Sequence, residues 1–163
     1  MPLAIHLGVH FALAVLTGYL LGSFFNNKKL GVIFGILGGF LIDLDHVLEY
    51  FIVFGANFNL KYFFESRQFL SSDMIRIYFH AWEYLPLLLI LAFIFRKKEK
   101  LKIALVTLAL AGAVHLVSDV LINDSYFKYY SIYYRASHNF SAKELVPILQ
   151  YEKNMLLKEE LGI

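Results

Sequence analysis

Four groups of histidine and acidic residues stand out because each adjoins a long apolar stretch of the chain. The groups are His6/His10, Asp43-Leu44-Asp45-His46, His80/Glu83 and His115/Asp119. Imidazole and carboxylate groups together are ligands of divalent metals, and the chain has no cysteine that could supply a thiolate. This donor set suits Zn²⁺ and leaves Mn²⁺ and Fe²⁺ open as alternatives. The sequence therefore predicts a divalent metal site built from histidine and carboxylate side chains.

Spacing within a group decides which side chains share a helix face. His115 and Asp119 are four residues apart on an otherwise apolar stretch. Asp43 and His46 are three apart and share a face, whereas Asp45 points to another side. Ionisable residues at membrane depth are costly unless they are paired or functional. We expect both pairs to bind metal together with groups on other helices.

Two further pairs have an alternative interpretation that needs no metal. His6 and His10 are four residues apart, which suits joint ligation or a satisfied histidine pair at the membrane interface. His80 and Glu83 are three apart, which suits ligation or a helix start with a carboxylate in its first turn. The roles of His6 and of His138, in the polar C-terminal tail, stay open. The predicted metal ligands are His10, Asp43, His46, His80, His115 and Asp119.

Long apolar elements must position these groups. The 163 residues are 59% hydrophobic and 17% aromatic, which is more apolar surface than a small soluble domain can bury. The 15 basic and 13 acidic side chains give no reason to expect a nucleic-acid partner. We predict an all-α, integral membrane bundle of about four transmembrane helices, at residues 3–25, 30–42, about 81–95 and 101–122. The third helix would be longer if it began before His80.

Two basic loops connect the predicted helices. They contain Lys28-Lys29 and the charged residues between Arg96 and Lys102. At a rise of about 1.5 Å per residue, every group lies roughly 20–27 Å along its helix from the nearest loop, so all four share one depth. Basic loops favour the cytoplasmic side of a membrane. We therefore predict that the metal site lies on the non-cytoplasmic side.

Two regions, residues 50–79 and 123–163, combine many aromatic side chains with charged ones. Aromatic side chains favour the boundary between membrane and water, so we interpret both regions as interfacial caps. The alternative is that they are ordinary soluble segments packing on each other. We expect a single domain, residues 1–163, with a helical core at 1–122 and an interfacial or polar tail at 123–163.

The order of these motifs resembles the family of membrane-bound, metal-dependent hydrolases described as LexA-binding and inner-membrane-associated. The matching pieces span about residues 5–122 and are His10, Asp43-Leu44-Asp45-His46, His80 and the segment from His115 to Asp119. The chain departs from the family pattern in two motifs. Ile42 replaces the proline before D-x-D-H, and residues 75–81 keep only Arg76 and His80 of the motif H-R-G-x-T-H-S.

The resemblance implies a metal-dependent hydrolase, and a looser likeness to all-helical zinc phospholipases implies phosphoester cleavage. A bound divalent ion would lower the pKa of a coordinated water toward about 7. Glu83 or Asp45 would be the general base, and Arg76 would bind an anionic phosphate. The expected partners are membrane lipid and a small-molecule, lipid or lipid-linked phosphoester substrate. The sequence identifies no protein partner.

Two other classes of function fit the same residues. Buried acids and histidines are typical of ion pathways, so the chain could be a membrane metal-binding or ion- or proton-transport protein without hydrolytic activity. Alternatively, the polar groups could join the helices of a structural membrane protein by hydrogen bonds. His80→Ala and His115→Ala would separate these classes. The structural role predicts unfolding, transport predicts lost flux with metal still bound, and catalysis predicts a folded protein without turnover.

Overall fold

The computed structural model describes residues 3–163, with side chains from residue 5 onward. Helix accounts for 75% of the chain, and no strand occurs among residues 3–163, which confirms the predicted all-α class. Short 3₁₀ turns cover Leu41–Asp43 and Phe127–Tyr130. The α-helices are α1 (Leu3–Phe24), α2 (Lys28–Gly39), α3 (Leu44–Phe54), α4 (Leu60–Phe64), α5 (Arg67–Ser72), α6 (Tyr84–Ile94), α7 (Glu99–Ile122), α8 (Ile132–Ser137), α9 (Ala142–Leu145) and α10 (Ile148–Leu161).

The chain divides into two compact units, and each is built from two separate stretches of sequence. The long-helix unit contains the residues up to 42 together with 80–124, and hence α1, α2, α6 and α7. The short-helix unit contains residues 43–79 and 125–163, and hence the remaining six helices. The single domain expected from the sequence, with a core at 1–122 and a tail at 123–163, stays a prediction.

Three segments of the described chain are long and apolar enough to cross a membrane: Ile5–Phe24, Lys28–Phe54 and Glu99–Ile122. These segments are consistent with an integral membrane protein. The apolar helix α6 has only 11 residues, roughly 16 Å of helix against about 30 Å of hydrocarbon. The count of about four transmembrane helices and the side on which the site lies therefore stay predictions.

The third predicted helix begins later than the sequence suggested. α6 starts at Tyr84, so the expected start near residue 81, or before His80, is wrong. Pro86 gives the physical reason, because proline has no N–H and its ring clashes with the carbonyl four residues earlier. Proline is tolerated in a first helical turn, and Pro86 lies in the first turn of α6. His80 consequently lies in the non-helical segment that precedes this helix.

Helices α1 and α2 are in direct backbone contact. Gly18 and Gly22 of α1 face Gly31 and Gly35 of α2, and a Cβ on Gly31 would lie 2.3 Å from Gly18 O. Only hydrogen fits at these positions, and small residues are what allow helices to approach closely in lipid. Helix α7 packs against both α1 and α2, and α6 packs against α7. The glycines therefore fix the position of α1 relative to its neighbours in the long-helix unit.

The core of the short-helix unit forms around Tyr50 of α3. This side chain is fully buried, and its ring contacts the rings of Phe54, Phe58 and Phe63. Its hydroxyl accepts a hydrogen bond of 2.9 Å from the backbone N–H of Asn59. An aromatic cluster with a satisfied hydroxyl is a stable core for a unit of short helices.

A non-helical segment, residues 73–79, is held inside the short-helix unit by the C-terminal region. Ile75 N donates to Phe140 O at 2.8 Å, and the buried Arg135 guanidinium donates to Ile77 O at 2.7 Å. Helix α10 packs against α5. The two aromatic-rich regions thus pack on each other, which is compatible with interfacial caps and with ordinary soluble segments. Their placement at a membrane interface stays a prediction.

Candidate metal centre

The carboxylate of Asp119 lies at the centre of four histidine side chains in the long-helix unit. Asp119 Oδ1 is 3.3 Å from Nε2 of His6 and 3.3 Å from Nε2 of His10. Asp119 Oδ2 is 3.3 Å from Nε2 of His80 and 3.2 Å from Nε2 of His115. Each carboxylate oxygen therefore faces two imidazole nitrogens. We call these five side chains the His/Asp cluster.

Helix geometry explains how the cluster is assembled. His6 and His10 are one turn apart on α1, and His115 and Asp119 are one turn apart on α7. The two helices pack on each other, so both pairs face the same space. The ring of His10 meets that of His115 edge-on, with 4.0 Å between centroids. His80 completes the cluster from the non-helical segment before α6.

A backbone carbonyl fixes the orientation and the tautomer of His115. Its Nδ1 lies 2.9 Å from Gly39 O, the carbonyl of the last residue of α2. Because a carbonyl oxygen can only accept, Nδ1 carries the proton, and the ring in its neutral form presents the lone pair of Nε2 to the cluster. A histidine that binds metal commonly donates its other N–H in this way.

The distances within the cluster match those between ligands of one ion. Two donors about 2.0–2.1 Å from a tetrahedral Zn²⁺ lie roughly 3.3–3.4 Å from each other. The four nitrogen–oxygen distances to Asp119 are 3.2–3.3 Å. His80 Nε2 and His115 Nε2 are 3.0 Å apart, so these two donor atoms also converge. His80, His115 and Asp119 could hold one metal ion, and His6, His10 and Asp119 form a second such group.

Ser118 extends the cluster on the side of His10. Its hydroxyl donates to His115 O at 2.8 Å, and its oxygen lies 3.2 Å from His10 Nε2. Since the serine proton is used by the carbonyl, Oγ can accept a hydrogen bond from His10 Nε2 in the tautomer that carries its proton there. The Ser118 oxygen is therefore one more atom near His6 and His10 that could bind a metal ion.

Burial makes the cluster chemically unusual. His10, His80, His115 and Asp119 are all at most 2% exposed, and only the His6 side chain has appreciable exposure, at 15%. A buried carboxylate needs a compensating positive charge or several hydrogen bonds. Every ion-pair partner of Asp119 among the described residues is a histidine, and Oδ1 accepts no hydrogen bond within that part of the chain. A divalent cation would supply the missing charge.

Three further predicted site residues lie in the short-helix unit. Asp43 Oδ1 is 3.5 Å from His46 Nε2, in agreement with the helix face that the two were predicted to share. Both side chains are partly exposed. Asp45 is fully buried and accepts a hydrogen bond of 2.9 Å from Phe79 N. Its carboxylate thereby holds the end of the non-helical segment. Metal binding by Asp43 and His46, and base catalysis by Asp45, stay predictions.

Arg76 is engaged in an ion pair that sequence analysis did not identify. Its Nε and Nη2 atoms donate to the fully buried Glu49 carboxylate at 2.8–3.1 Å, in the forked geometry typical of strong arginine–carboxylate pairs. Ser72 Oγ lies 3.4 Å from the same carboxylate. The pair therefore stabilises the interior of the short-helix unit. Phosphate binding by Arg76 stays a prediction that would use the remaining N–H groups of its guanidinium.

The last two candidates lie at helix ends. Glu83, the other predicted base, precedes the first turn of α6 and is half-buried. His138 ends α8, where Nδ1 lies 2.8 Å from Tyr134 O and the imidazole stacks on the Tyr134 ring. His138 thus has a local structural role in the short-helix unit, which makes it a useful control residue.

Three groups that the structure places in or beside the cluster were not among the site residues predicted from the sequence. His6 was left open because its spacing from His10 fitted a satisfied histidine pair at the membrane interface as well as joint ligation. Ser118 was missed because a single serine in an apolar helix is common, and the Gly39 carbonyl gave no signal because a backbone atom does not stand out in a sequence. The pattern His115-Leu116-Val117-Ser118-Asp119 could have indicated Ser118, since it lies within the motif.

Comparison with known proteins adds no assignment. No protein-family model, curated protein or solved structure matches the chain. The resemblance to membrane-bound, metal-dependent hydrolases therefore stays a prediction, and the functional argument depends on the geometry of the His/Asp cluster.

Proposed function

We propose that the protein is a membrane-bound, metal-dependent hydrolase that acts on a phosphoester of a lipid or lipid-linked substrate. The observation that supports this proposal is the convergence of His80 Nε2, His115 Nε2 and Asp119 Oδ2 within 3.0–3.3 Å of one another. Two imidazoles and one carboxylate are a donor set for Zn²⁺, with Mn²⁺ and Fe²⁺ as alternatives.

The number of ligands favours catalysis over a structural metal. Structural zinc sites are closed by four protein ligands, usually including cysteine, whereas catalytic sites combine three protein ligands with an open position for water. His80, His115 and Asp119 supply three donors. When bound, the ion would make a coordinated water acidic enough to act as a nucleophile near neutral pH.

The residues of the chain would orient the reacting groups and move the proton. The Gly39 carbonyl keeps the His115 ring in one orientation and one tautomer. Glu83, three residues after His80 in the same unit, is our proposed general base. Both helices of the cluster are candidate membrane spans, and this location favours a lipid substrate over a soluble one.

The test is hydrolysis by the full chain purified in detergent or nanodiscs. We would supply Zn²⁺, Mn²⁺ or Fe²⁺ and measure release from headgroup-labelled phospholipids and from a generic phosphodiester. Wild type should turn over, and His115→Ala should lose at least about 100-fold in activity, since loss of a group that only orients a metal ligand already costs about 10–100-fold. His138→Ala is the matched control and should keep wild-type activity. Absence of turnover with every metal and substrate would reject the hydrolase.

The second candidate is a membrane metal-binding or ion-transport protein. The observation in its favour is the deep burial of His10, His80, His115 and Asp119, which restricts the access of a bulky substrate. This candidate predicts metal or proton flux in proteoliposomes that His115→Ala abolishes, together with metal binding and no hydrolysis. The hydrolase predicts turnover without flux.

A further inference from the structure

We infer that the His/Asp cluster binds two divalent ions, bridged by the Asp119 carboxylate. This inference rests on the proposed metal centre and adds a second ion to it. One ion would bind His80, His115 and Asp119 Oδ2, and the other would bind His6, His10 and Asp119 Oδ1. The observation behind it is that each carboxylate oxygen has two imidazole nitrogens at 3.2–3.3 Å.

The two halves of the cluster are equivalent as donor sets. Each half offers two imidazole nitrogens and one carboxylate oxygen whose donor atoms lie within 4.8 Å of one another. His6 and His10 have ring centroids 4.2 Å apart, because they stand one turn apart on α1. A carboxylate that presents a different oxygen to each set is the group that can bridge two ions.

A single ion would leave one oxygen of the Asp119 carboxylate without a cation. With an ion only at His80 and His115, the Oδ1 atom of Asp119 would remain buried beside two imidazoles. This oxygen accepts no hydrogen bond among the described residues, although two nitrogens lie at 3.3 Å. A buried carboxylate oxygen without a hydrogen bond or a cation is costly. Binding of a second ion between Oδ1, His6 and His10 removes that cost.

Charge balance indicates what else must bind. Two divalent ions and one carboxylate among neutral imidazoles carry a formal charge of about +3, which is unfavourable in a buried site. An anion is therefore required, and a phosphate group supplies both negative charge and oxygen donors. The second ion and a phosphate should then favour each other's binding reciprocally. This expectation agrees with a phosphoester substrate and can be tested with inorganic phosphate alone.

The experiment measures metal content by elemental analysis of the full chain after equilibration with Zn²⁺, with and without inorganic phosphate. With phosphate, wild type and the control His138→Ala should hold two ions per chain. His6→Gln/His10→Gln and His80→Gln/His115→Gln should each hold one, and Asp119→Asn should lose the bridged pair. Glutamine keeps a polar group at each site, and circular dichroism checks that each variant is helical. The Mn²⁺-loaded wild type should give the paramagnetic resonance spectrum of a coupled pair.

Either of two results would overturn the two-ion centre. One is a single ion per wild-type chain in the presence of phosphate. The other is full metal content in a folded His6→Gln/His10→Gln variant. The proposed hydrolase activity is tested separately. Two bound ions without turnover would reject the hydrolase and support the bridged pair. Turnover with one bound ion would reject only the second metal site.

Discussion

The short-helix unit buries the carboxylate of Glu49 against a guanidinium, whereas the long-helix unit buries that of Asp119 among imidazoles. Arg76 meets Glu49 with two nitrogens at 2.8–3.1 Å and carries a permanent positive charge. The four histidines around Asp119 have nitrogens at similar distances but are neutral when they act as metal ligands. The first carboxylate is neutralised by the chain itself, whereas in our proposal a bound divalent cation neutralises the second.

This difference separates a structural ion pair from a ligand set. Arginine donates in a fixed fork and cannot lose its proton, so it completes a buried carboxylate but binds no metal. Histidine can present a lone pair, so several histidines around one carboxylate form a site for a divalent ion. Removing a partner in the short-helix unit should therefore affect stability, and removing one in the long-helix unit should affect metal binding.

The largest expected effect is in the ion pair. Arg76→Ala leaves Glu49 fully buried without its cation, and breaking a buried pair in this way costs about 3–5 kcal/mol of unfolding free energy. Denaturant unfolding of the purified chain in detergent would measure the loss. Unfolding that stays within about 0.5 kcal/mol of wild type, with activity lost, would instead indicate that Arg76 serves the substrate.

The second-largest effect should come from removing metal, which should destabilise the long-helix unit. A ligand present at about 100 times its dissociation constant stabilises the folded state by roughly 2.7 kcal/mol. A chelator should therefore lower the melting temperature of wild type and leave Asp119→Asn unchanged. Asp124→Asn, which changes an exposed acid beyond α7, should respond like wild type. An identical response of wild type and Asp119→Asn would show that the metal effect arises outside the cluster.

A third change tests whether helix packing positions the histidines of α1. A Cβ on Gly31 would lie 2.3 Å from Gly18 O and 2.4 Å from Gly22 Cα, and backbone atoms cannot move aside easily. Gly31→Ala should cost about 1–3 kcal/mol, as overpacking does, and lower metal content because α1 is displaced. The control is Gly8→Ala, since nothing lies within 4 Å of a Cβ at Gly8. Equal stability and metal content in both variants would contradict the packing argument.

The smallest expected effect is a pH dependence of the short-helix unit. Tyr151 Oη donates to Asp73 Oδ2 at 3.2 Å. The pKa of Tyr151 is raised above its ordinary value, mainly by burial and secondly by the negative charge of the Asp73 carboxylate. A raised folded-state pKa gives stability that is complete below the unfolded pKa of about 10 and is lost as pH rises through the folded pKa.

Tyr151→Phe should remove this pH dependence. Because the hydroxyl is close to solvent, the loss at neutral pH should be at most about 1 kcal/mol. Thermal unfolding at neutral pH and above pH 10, for both proteins, measures the difference. A wild type and a Tyr151→Phe variant that lose stability in parallel at high pH would show that other groups control the alkaline transition.

The sequence predicted the long helices well and the non-local contacts poorly. The predicted stretches 3–25 and 101–122 correspond to Leu3–Phe24 and Glu99–Ile122, because an unbroken apolar run leaves little choice of element. The start of α6 was missed because an apolar run does not show that Pro86 confines the helix start to the residues just before it. Hydrophobicity identifies apolar length, but it does not indicate where such a helix can begin.

The candidate site shows the same limit. Spacing along a helix identified His115 with Asp119, and common depth correctly suggested that groups on other helices meet. Helix rotation and packing decide the remaining contacts. They determine which Asp119 oxygen each histidine faces, whether His6 joins the cluster, and that Arg76 pairs with Glu49. Arg76 and Glu49 are 27 residues apart, and no local pattern connects them. Such contacts require the tertiary structure.

The end of α2 limits how homologous chains can vary in length. The Gly39 carbonyl reaches His115 because the helix ends there and leaves its last carbonyls without partners inside the helix. One residue inserted into α2 would rotate that end by about 100° and shift it by about 1.5 Å, so the imidazole would lose its acceptor. Among the described residues, no hydrogen bond links the turn between α6 and α7 to the cluster. We therefore expect insertions in that turn to be compatible with the proposed metal centre, and insertions between Lys28 and Gly39 to be incompatible with it.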